Sequence, residues 1–298
     1  MFPGGENQGR EVSVVAMNAI TLDYRLPDEA FRDRFSLFYE FNADVPYFED
    51  DERADLAQVR FLLEGSNPIY TFADGHVVQA PRVQIVGPTT GPTRSSAEGP
   101  IRIFGVGVLP AGWAQLIDID ASLLVNRVVD GTELFGDAAT EAYDALKNAE
   151  NLEHRVRIGH RLAEGLAKRG PAAVTGFTKI VDAWLESSHS PDVEELVRAC
   201  GVTRRQVERN CKRYYGAPPK VLARKYRALR AAIALAKGEA SADALLSEGF
   251  YDQSHLIREI KAFTGVTPKK FTEDLPTLAQ LVMKRTEIQG LNPLITGT

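Results

Sequence analysis

Apolar positions tend to alternate over the first hundred residues and recur every three or four thereafter. DRFSLFYEF at 33–41 and AQVRFLL at 57–63 carry aromatic and β-branched residues in partial period-2 alternation, as strands with one buried face do. Segments of the same kind follow at 68–72, 76–80, 82–86 and 101–108. Turn-forming stretches separate them: GSNP at 65–68, ADG at 73–75, GPTTGP at 87–92 and RSSAEGP at 94–100. Short strands so close together predict a β-rich, barrel-like domain. Residues 111–117 and 133–148 read as helices. From Leu152 the helical period is continuous. Leu152, Val156, Ile158, Leu162 and Leu166 mark one helix that Gly170-Pro171 ends. Val174, Phe177, Ile180, Val181, Trp184 and Leu185 mark the next, which SSHSP at 187–191 breaks. The pattern predicts an α+β chain in three parts. A β-rich N-terminal domain with a helical junction occupies 1–170, and an all-α domain occupies 171–280. A flexible tail follows at 281–298, where GLNPLITGT has no period.

Within the helical half one plan occurs twice. In PDVEELVRACGVTRRQVERNCKRYYG at 191–216, Asp192 caps a first helix with Val193, Leu196 and Val197 on one face. Gly201 permits a sharp turn, and Thr203 caps a second helix that turns Val207, Cys211 and Tyr214 or Tyr215 inward. Arg205, Gln206, Glu208, Arg209, Lys212 and Arg213 stay on its outer face. A short helix, a Gly-containing turn and a basic second helix make a helix-turn-helix unit. Its second helix fits the major groove, where Arg and Gln can read guanine and adenine edges. In SADALLSEGFYDQSHLIREIKAFTG at 241–265, Ser241 caps the first helix, Gly249 ends it and Asp252 caps the second. Leu256, Ile260 and Phe263 face inward there, and Gln253, Ser254, Ile257, Arg258 and Lys261 face outward. Residues 218–238 have the proline start and apolar period of one long connecting helix. Two units so tied can enter major-groove segments about 34 Å apart on one face of a duplex.

Composition narrows the class. Of 298 residues, 44% are apolar and 25% charged, ordinary for a soluble globular protein. No apolar run approaches the ~20 residues of a membrane helix, so no membrane partner is expected. The start, MFPGGENQGREVS, lacks a secretory pattern, and the two cysteines, Cys200 and Cys211, imply no disulfide framework. A cytoplasmic location is expected. The net charge of −5 conceals an asymmetry: residues 1–180 hold 17 basic and 26 acidic side chains, and residues 181–275 hold 16 and 13. The stretch 204–230 holds ten Lys and Arg against one acid, Glu208. A solvated helix surface usually interleaves both signs, so this excess points to double-stranded DNA as partner. The five histidines lack metal-ligand spacing, and neither a metal nor a cofactor is expected.

These residues carry a family resemblance. GVTRRQVERNCKRYYGAPP, RALRA at 227–231, EGFYDQSHLIREIKAFTGVTP and Lys269 to Phe271 follow in order across 181–275. Together they resemble the DNA-binding domain of the AraC/XylS family of bacterial transcription regulators. The resemblance implies a non-enzymatic, sequence-specific DNA-binding protein. It implies that Arg205, Gln206 and Arg209 face bases from the first reading helix. From the second, Gln253, Ser254 and Arg258 would do so, with Ile257 available to a thymine methyl. Arg204, Lys212, Arg213, Arg224 and Lys261 are expected at phosphates. The chain departs from the family at Asn210, Cys211 and Ile260, where larger apolar residues are usual, and at Leu245, where Ala is usual. More weakly, the N-terminal part resembles a sensor-like domain found in a subset of the family. That likeness rests on the strand pair ending at 72–75, IVGP at 85–88 and IFGVGVLPAGWAQLI at 103–117.

A sensor holds a small-molecule effector or makes a homodimer. Phe38, Phe61, Tyr70, Phe104 and Trp113 are the candidate pocket lining; filling a β core is the alternative role for them. The stripes on 133–148 and 152–168 are candidate dimer surfaces unless they pack on their own β domain. The acidic run 49–52 reads as a solvated loop. An enzyme or a protein-binding scaffold acting through the β domain is the competing reading, without an acid–base pair, triad or metal cluster in the sequence to support it.

Overall fold

The computed structural model describes residues 12–17, 19–168, 175–273 and 275–288. Eleven strands form among them: β1 (Val12–Met17), β2 (Ile20–Arg25), β3 (Phe35–Ala43), β4 (Tyr47–Glu52), β5 (Ala57–Glu64), β6 (Ile69–Phe72), β7 (Val77–Gln79), β8 (Val83–Val86), β9 (Thr93–Glu98), β10 (Ile101–Val108) and β11 (Val128–Asp130). They pair antiparallel in two sheets, ordered β1-β2-β3-β10-β5-β8-β11 and β4-β9-β6-β7. The α+β architecture is as expected, but the sheets do not close into a barrel, because neither one's outer strands pair with each other.

The acidic run is strand β4, paired with β9 across what the sequence presents as a polar turn. Phe48 and Ala97 are the apolar residues of this pair that turn into the core, with Thr93 and Ser95 of β9 buried on the same strand. The charges are matched across the strands: Arg94 meets Asp51 at 3.2 Å and Glu49 at 3.6 Å. Charged side chains also protect β4, an edge strand, from pairing with another chain.

Four helices accompany the sheets: α1 (Pro110–Leu116) before β11, and α2 (Gly131–Phe135), α3 (Asp137–Lys147) and α4 (Leu152–Ala167) after it. The expected single helix at 133–148 is two, split at Gly136, whose φ of 60° lies outside the helical region. Leu146 of α3 and Val156 and Ile158 of α4 pack into the core formed by Phe38, Phe61, Phe104 and Trp113. Arg155 fastens α4 down, with an ion pair to Glu40 at 2.8 Å and bonds to the Leu146 and Ala149 carbonyls. The two apolar stripes are therefore spent on their own β domain and are not free dimer surfaces.

The remaining helices are α5 (Thr175–Ser187), α6 (Val193–Cys200), α7 (Arg204–Tyr215), α8 (Pro219–Ala236), α9 (Ala242–Leu246), α10 (Gln253–Thr264), α11 (Pro268–Glu273) and α12 (Thr277–Met283). Gly170-Pro171 and Val174, expected at the domain boundary, lie outside the described residues, as does the stretch 290–298. Residues 281–288 are not a tail. Leu281 and Ile288 are buried with Leu278 against Leu22, Phe41 and Phe48 of the sheets. The Asp50 carboxylate accepts a hydrogen bond from the Leu278 backbone N–H at 2.8 Å, so the β domain itself supplies the cap of α12.

Candidate nucleic-acid interface

The first unit forms from its caps inward. Asp192 accepts from Glu194 N at the start of α6, and Gly201 ends the helix in the left-handed region. Thr203 and Gln206 then make a reciprocal capping box on α7. Val193, Leu196, Val207, Cys211 and Tyr215 form the core with Trp184. The Trp184 indole donates to the Asp192 carbonyl at 2.7 Å, and the Tyr215 hydroxyl donates to Asp182 at 2.7 Å. Burial pushes the Asp182 carboxyl up to about 6 and the Cys211 thiol up to about 12, so Cys211 is an inert core residue. In the second unit, Ser241 caps α9 and Asp252 caps α10, with Leu245, Leu256 and Ile260 buried between them.

All seven expected base-facing residues are exposed: Arg205, Gln206 and Arg209 on α7, and Gln253, Ser254, Ile257 and Arg258 on α10. They differ in what else holds them. The Gln206 amide oxygen accepts from Thr203 N and Oγ1, and the Gln253 amide donates to Asp243 at 3.0 Å. The side chains of Arg205, Arg209 and Arg258 make no hydrogen bond or ion pair to other described residues, and neither do those of Lys212 and Lys261.

The other phosphate candidates are engaged. Arg204 pairs with Glu194 and Glu208, and Arg213 with Asp118 at 3.3 Å. Arg224 makes a two-pronged bond to Glu259 at 2.7 and 2.9 Å, tying α8 to α10. Arg224 is thus a brace between units rather than a free phosphate ligand. The basic stretch 204–230 is likewise not one open face. Lys225 and Arg227 are buried, and Arg230 reaches the Leu185 and Ser188 carbonyls. Long aliphatic stems let these cations cross apolar surface to reach partners.

The β domain grips both units. Its segment 87–92 runs along α8 between the C-terminal ends of the reading helices. A Cβ on Gly216, which ends α7, would lie 2.6 Å from Pro88 Cγ; one on Gly265, which ends α10, would lie 3.1 Å from Pro92 Cβ. Both glycines have φ near +75°. Midway, Lys225 donates to the Asp55 carbonyl at 2.6 Å and the Thr89 carbonyl at 3.0 Å. Ala54 N donates to the Phe263 carbonyl at 2.7 Å beside the small cluster of Ala54, Ala228, Leu229 and Phe263.

None of the five expected pocket residues lines the cavity of about 120 Å³ between the sheets and α8. Phe38, Phe61, Phe104 and Trp113 fill the core, with the Phe38 and Phe104 rings stacked at 5.8 Å and the Trp113 indole bonded to the Ile119 carbonyl. Trp113 borders only a void of about 20 Å³. Tyr70 is buried elsewhere, bonded to Arg60 and Gln84. The cavity of about 120 Å³ is walled by residues of β2, β3, β4, β5 and β10 together with α8 and α12. Its lining is scattered through the chain, and no local sequence pattern announces it.

With this geometry in view, the class is a DNA-binding transcription regulator. Residues 196–274 match the family described as Helix-turn-helix domain, and the chain carries an AraC-type DNA-binding domain at this end. No curated protein matches the chain at a significant level. Among solved structures, the chain is similar to apo ToxT from Vibrio cholerae, with 10% identity, 76% of this chain and 97% of that one covered, and a TM-score of 0.42. ToxT bound to an unsaturated fatty acid gives 9% identity, 78% and 94% coverage and 0.43. The AraC-like transcriptional activator CuxR gives 17% identity, 64% and 80% coverage and 0.29. At these values the likeness transfers no ligand and no residue role.

Proposed function

We propose that the protein is a sequence-specific transcription regulator that reads two successive major-groove segments, one with α7 and one with α10. The observation that carries this reading is a pair of exposed reading helices, each presenting unpaired arginine, fixed against one frame. Arg205 and Arg209 would meet base edges from α7, with Gln206 beside them. Arg258, Ser254 and Ile257 would do so from α10, with Gln253 at its start. Lys212 and Lys261 would meet phosphates, as would Arg204 and Arg213 after exchanging their carboxylate partners for phosphate. The segment 87–92, anchored by Lys225, would hold the two units at a set spacing. The N-terminal domain would thus regulate by how firmly it grips, under control of a small-molecule effector. One chain carries both reading helices, so a single asymmetric site needs one chain. A homodimer on repeated sites would have to use a surface other than the buried stripes of α3 and α4.

The test is capture of genomic fragments by the purified full chain, followed by gel shifts on recovered sites across a salt series. Specific binding that needs both segments, and that loses strength if one base pair is inserted between them, is the expected result. Binding without sequence preference would overturn the reading.

A further inference from the structure

The cavity of about 120 Å³ lies where Phe41, Phe48 and Ile103 of the sheets face Leu229 and Ile233 of α8, under Leu278 of α12. We infer that it is a binding site for a compact, uncharged, mostly apolar molecule carrying one hydroxyl or carbonyl oxygen. The inference rests on the reading of the N-terminal domain as the regulating part and names the class of effector.

Size sets the first limit, since an apolar cavity of roughly 150 Å³ holds a benzene ring. Charge sets the second. The wall carries three acids, Asp51, Glu52 and Asp55, and three arginines, Arg53, Arg60 and Arg285. Arg60 is buried and meets both Glu52 oxygens, at 3.0 and 2.5 Å, while its remaining bonds go to Gln58 and Tyr70. Arg285 meets Asp55 at 3.1 Å, and Asp51 meets Arg94. A carboxylate ligand would have to draw an arginine from its acid and leave that acid uncompensated; an ammonium ligand would do the reverse. Arg53, the remaining charge on the wall, has an interaction of its own, so neither sign is invited.

A polar handle sets the third limit. The Tyr24 side chain is buried on this wall, and its hydroxyl makes no hydrogen bond to the described residues. Burial, with Asp55 and Glu52 nearby, raises its pKa far above the ordinary phenol, so it stays a neutral O–H donor. Tyr39 stands edge-on to it at 6.5 Å, its own hydroxyl already given to Gln58 at 2.5 Å. An oxygen of the ligand would complete Tyr24. The opposite wall is α8, the helix that ties the two reading units, so an occupant would touch the element on which their spacing depends.

Benzyl alcohol, benzoate and benzylammonium share one ring and differ in charge. Each is titrated into the full chain, with melting temperature, heat of binding and affinity for a captured DNA site as readouts. Benzyl alcohol should bind and raise the melting temperature, and the two ions should not. Tyr24→Phe should weaken benzyl alcohol roughly tenfold, as expected for one lost hydrogen bond, while the variant folds normally. Ala232→Leu on α8 should block binding by filling the space. Benzoate binding as well as the alcohol, no effect of the alcohol at millimolar concentration, or unchanged binding to Tyr24→Phe would each overturn the inference. If the alcohol binds as described but DNA affinity does not move, the site stands and regulation through it fails.

Discussion

Lys225 offers the sharpest perturbation, because it is the one cation that α8 buries in the β domain's own backbone. Removal from water pushes its amine down from the ordinary 10.5 to about 8, with Arg53 adding to the effect and Asp55 opposing it. The folded protein therefore holds this proton more weakly than the unfolded chain does. Below pH 8 both states are charged and the full cost of burying the charge is present. Between pH 8 and 10.5 the unfolded chain binds more protons, so stability contributed by this group rises with pH across that window. The gap is worth about 3 kcal/mol. Lys225→Met removes the titration and also orphans the Asp55 and Thr89 carbonyls, at about 1–3 kcal/mol each. At neutral pH these effects partly cancel, and the variant should differ little from the parent. The parent's advantage should then grow on the order of 3 kcal/mol toward pH 10.5. Urea unfolding followed by fluorescence can read this in each half, since Trp113 lies in the β core and Trp184 in the first helix-turn-helix core. A stability difference that stays constant from pH 7.5 to 10.5 would refute the assignment of Lys225 as a buried, weakly protonated anchor.

Arg209→Ala should weaken the cognate site by roughly 1–3 kcal/mol and relax preference at one base pair in a gel shift. Lys212→Ala should lower affinity on all sequences and reduce the salt slope by about 1. Gly216→Val places a branched side chain at φ +78° against Pro88, and should loosen the grip on α7. Its readout is a broadened tolerance for inserted base pairs between the two segments, with the Trp113 unfolding transition unchanged. Glu52→Gln leaves the buried Arg60 guanidinium without its counter-charge and should cost about 3–5 kcal/mol of stability by urea titration. Replacing Glu52 and Arg60 together with leucine should recover much of that loss.

The helix-turn-helix half was legible because its signals are local. Asp192, Thr203, Ser241 and Asp252 all cap the helices they precede, and the residues read as outward are exposed apart from half-buried Glu208. What escaped is made of long-range matches. β4 and β9 look like loops in sequence because their polar side chains are satisfied by each other, as Arg94 with Asp51, rather than by an apolar face. The cations of α8 look like part of a DNA-facing surface because the carbonyls that receive Lys225 lie 170 and 136 residues away. Residues 281–288 look like a tail because the carboxylate that caps α12 just before them is 228 residues upstream of Leu278. Phe38, Phe104 and Trp113 were legible as large and buried, but burial alone does not separate a packed core from a cavity wall. The cavity's charged and aromatic lining, Tyr24, Tyr39 and Arg60 among it, is distributed over strands that meet only in the fold.

An acidic β domain attached to a DNA-binding domain raises an electrostatic problem, and the placement of the contacts bears on it. The β domain meets α7 and α10 at their C-terminal ends, through Pro88 at Gly216 and Pro92 at Gly265. The N-terminal halves, carrying Arg205, Gln206 and Arg209 or Gln253, Ser254 and Arg258, stay open. Helix-turn-helix proteins present base-reading residues from the N-terminal part of the reading helix, where the helix dipole also favours phosphate. A β domain docked at these C-terminal ends leaves the base-facing halves of both helices exposed. Asp118 sits on Arg213 at the end of α7. Docking on DNA there would exchange a carboxylate for a phosphate on one guanidinium, which would leave Arg213 paired in both states. Its contribution to affinity is the difference between two ion pairs, whereas Lys212 one position earlier gives up only water.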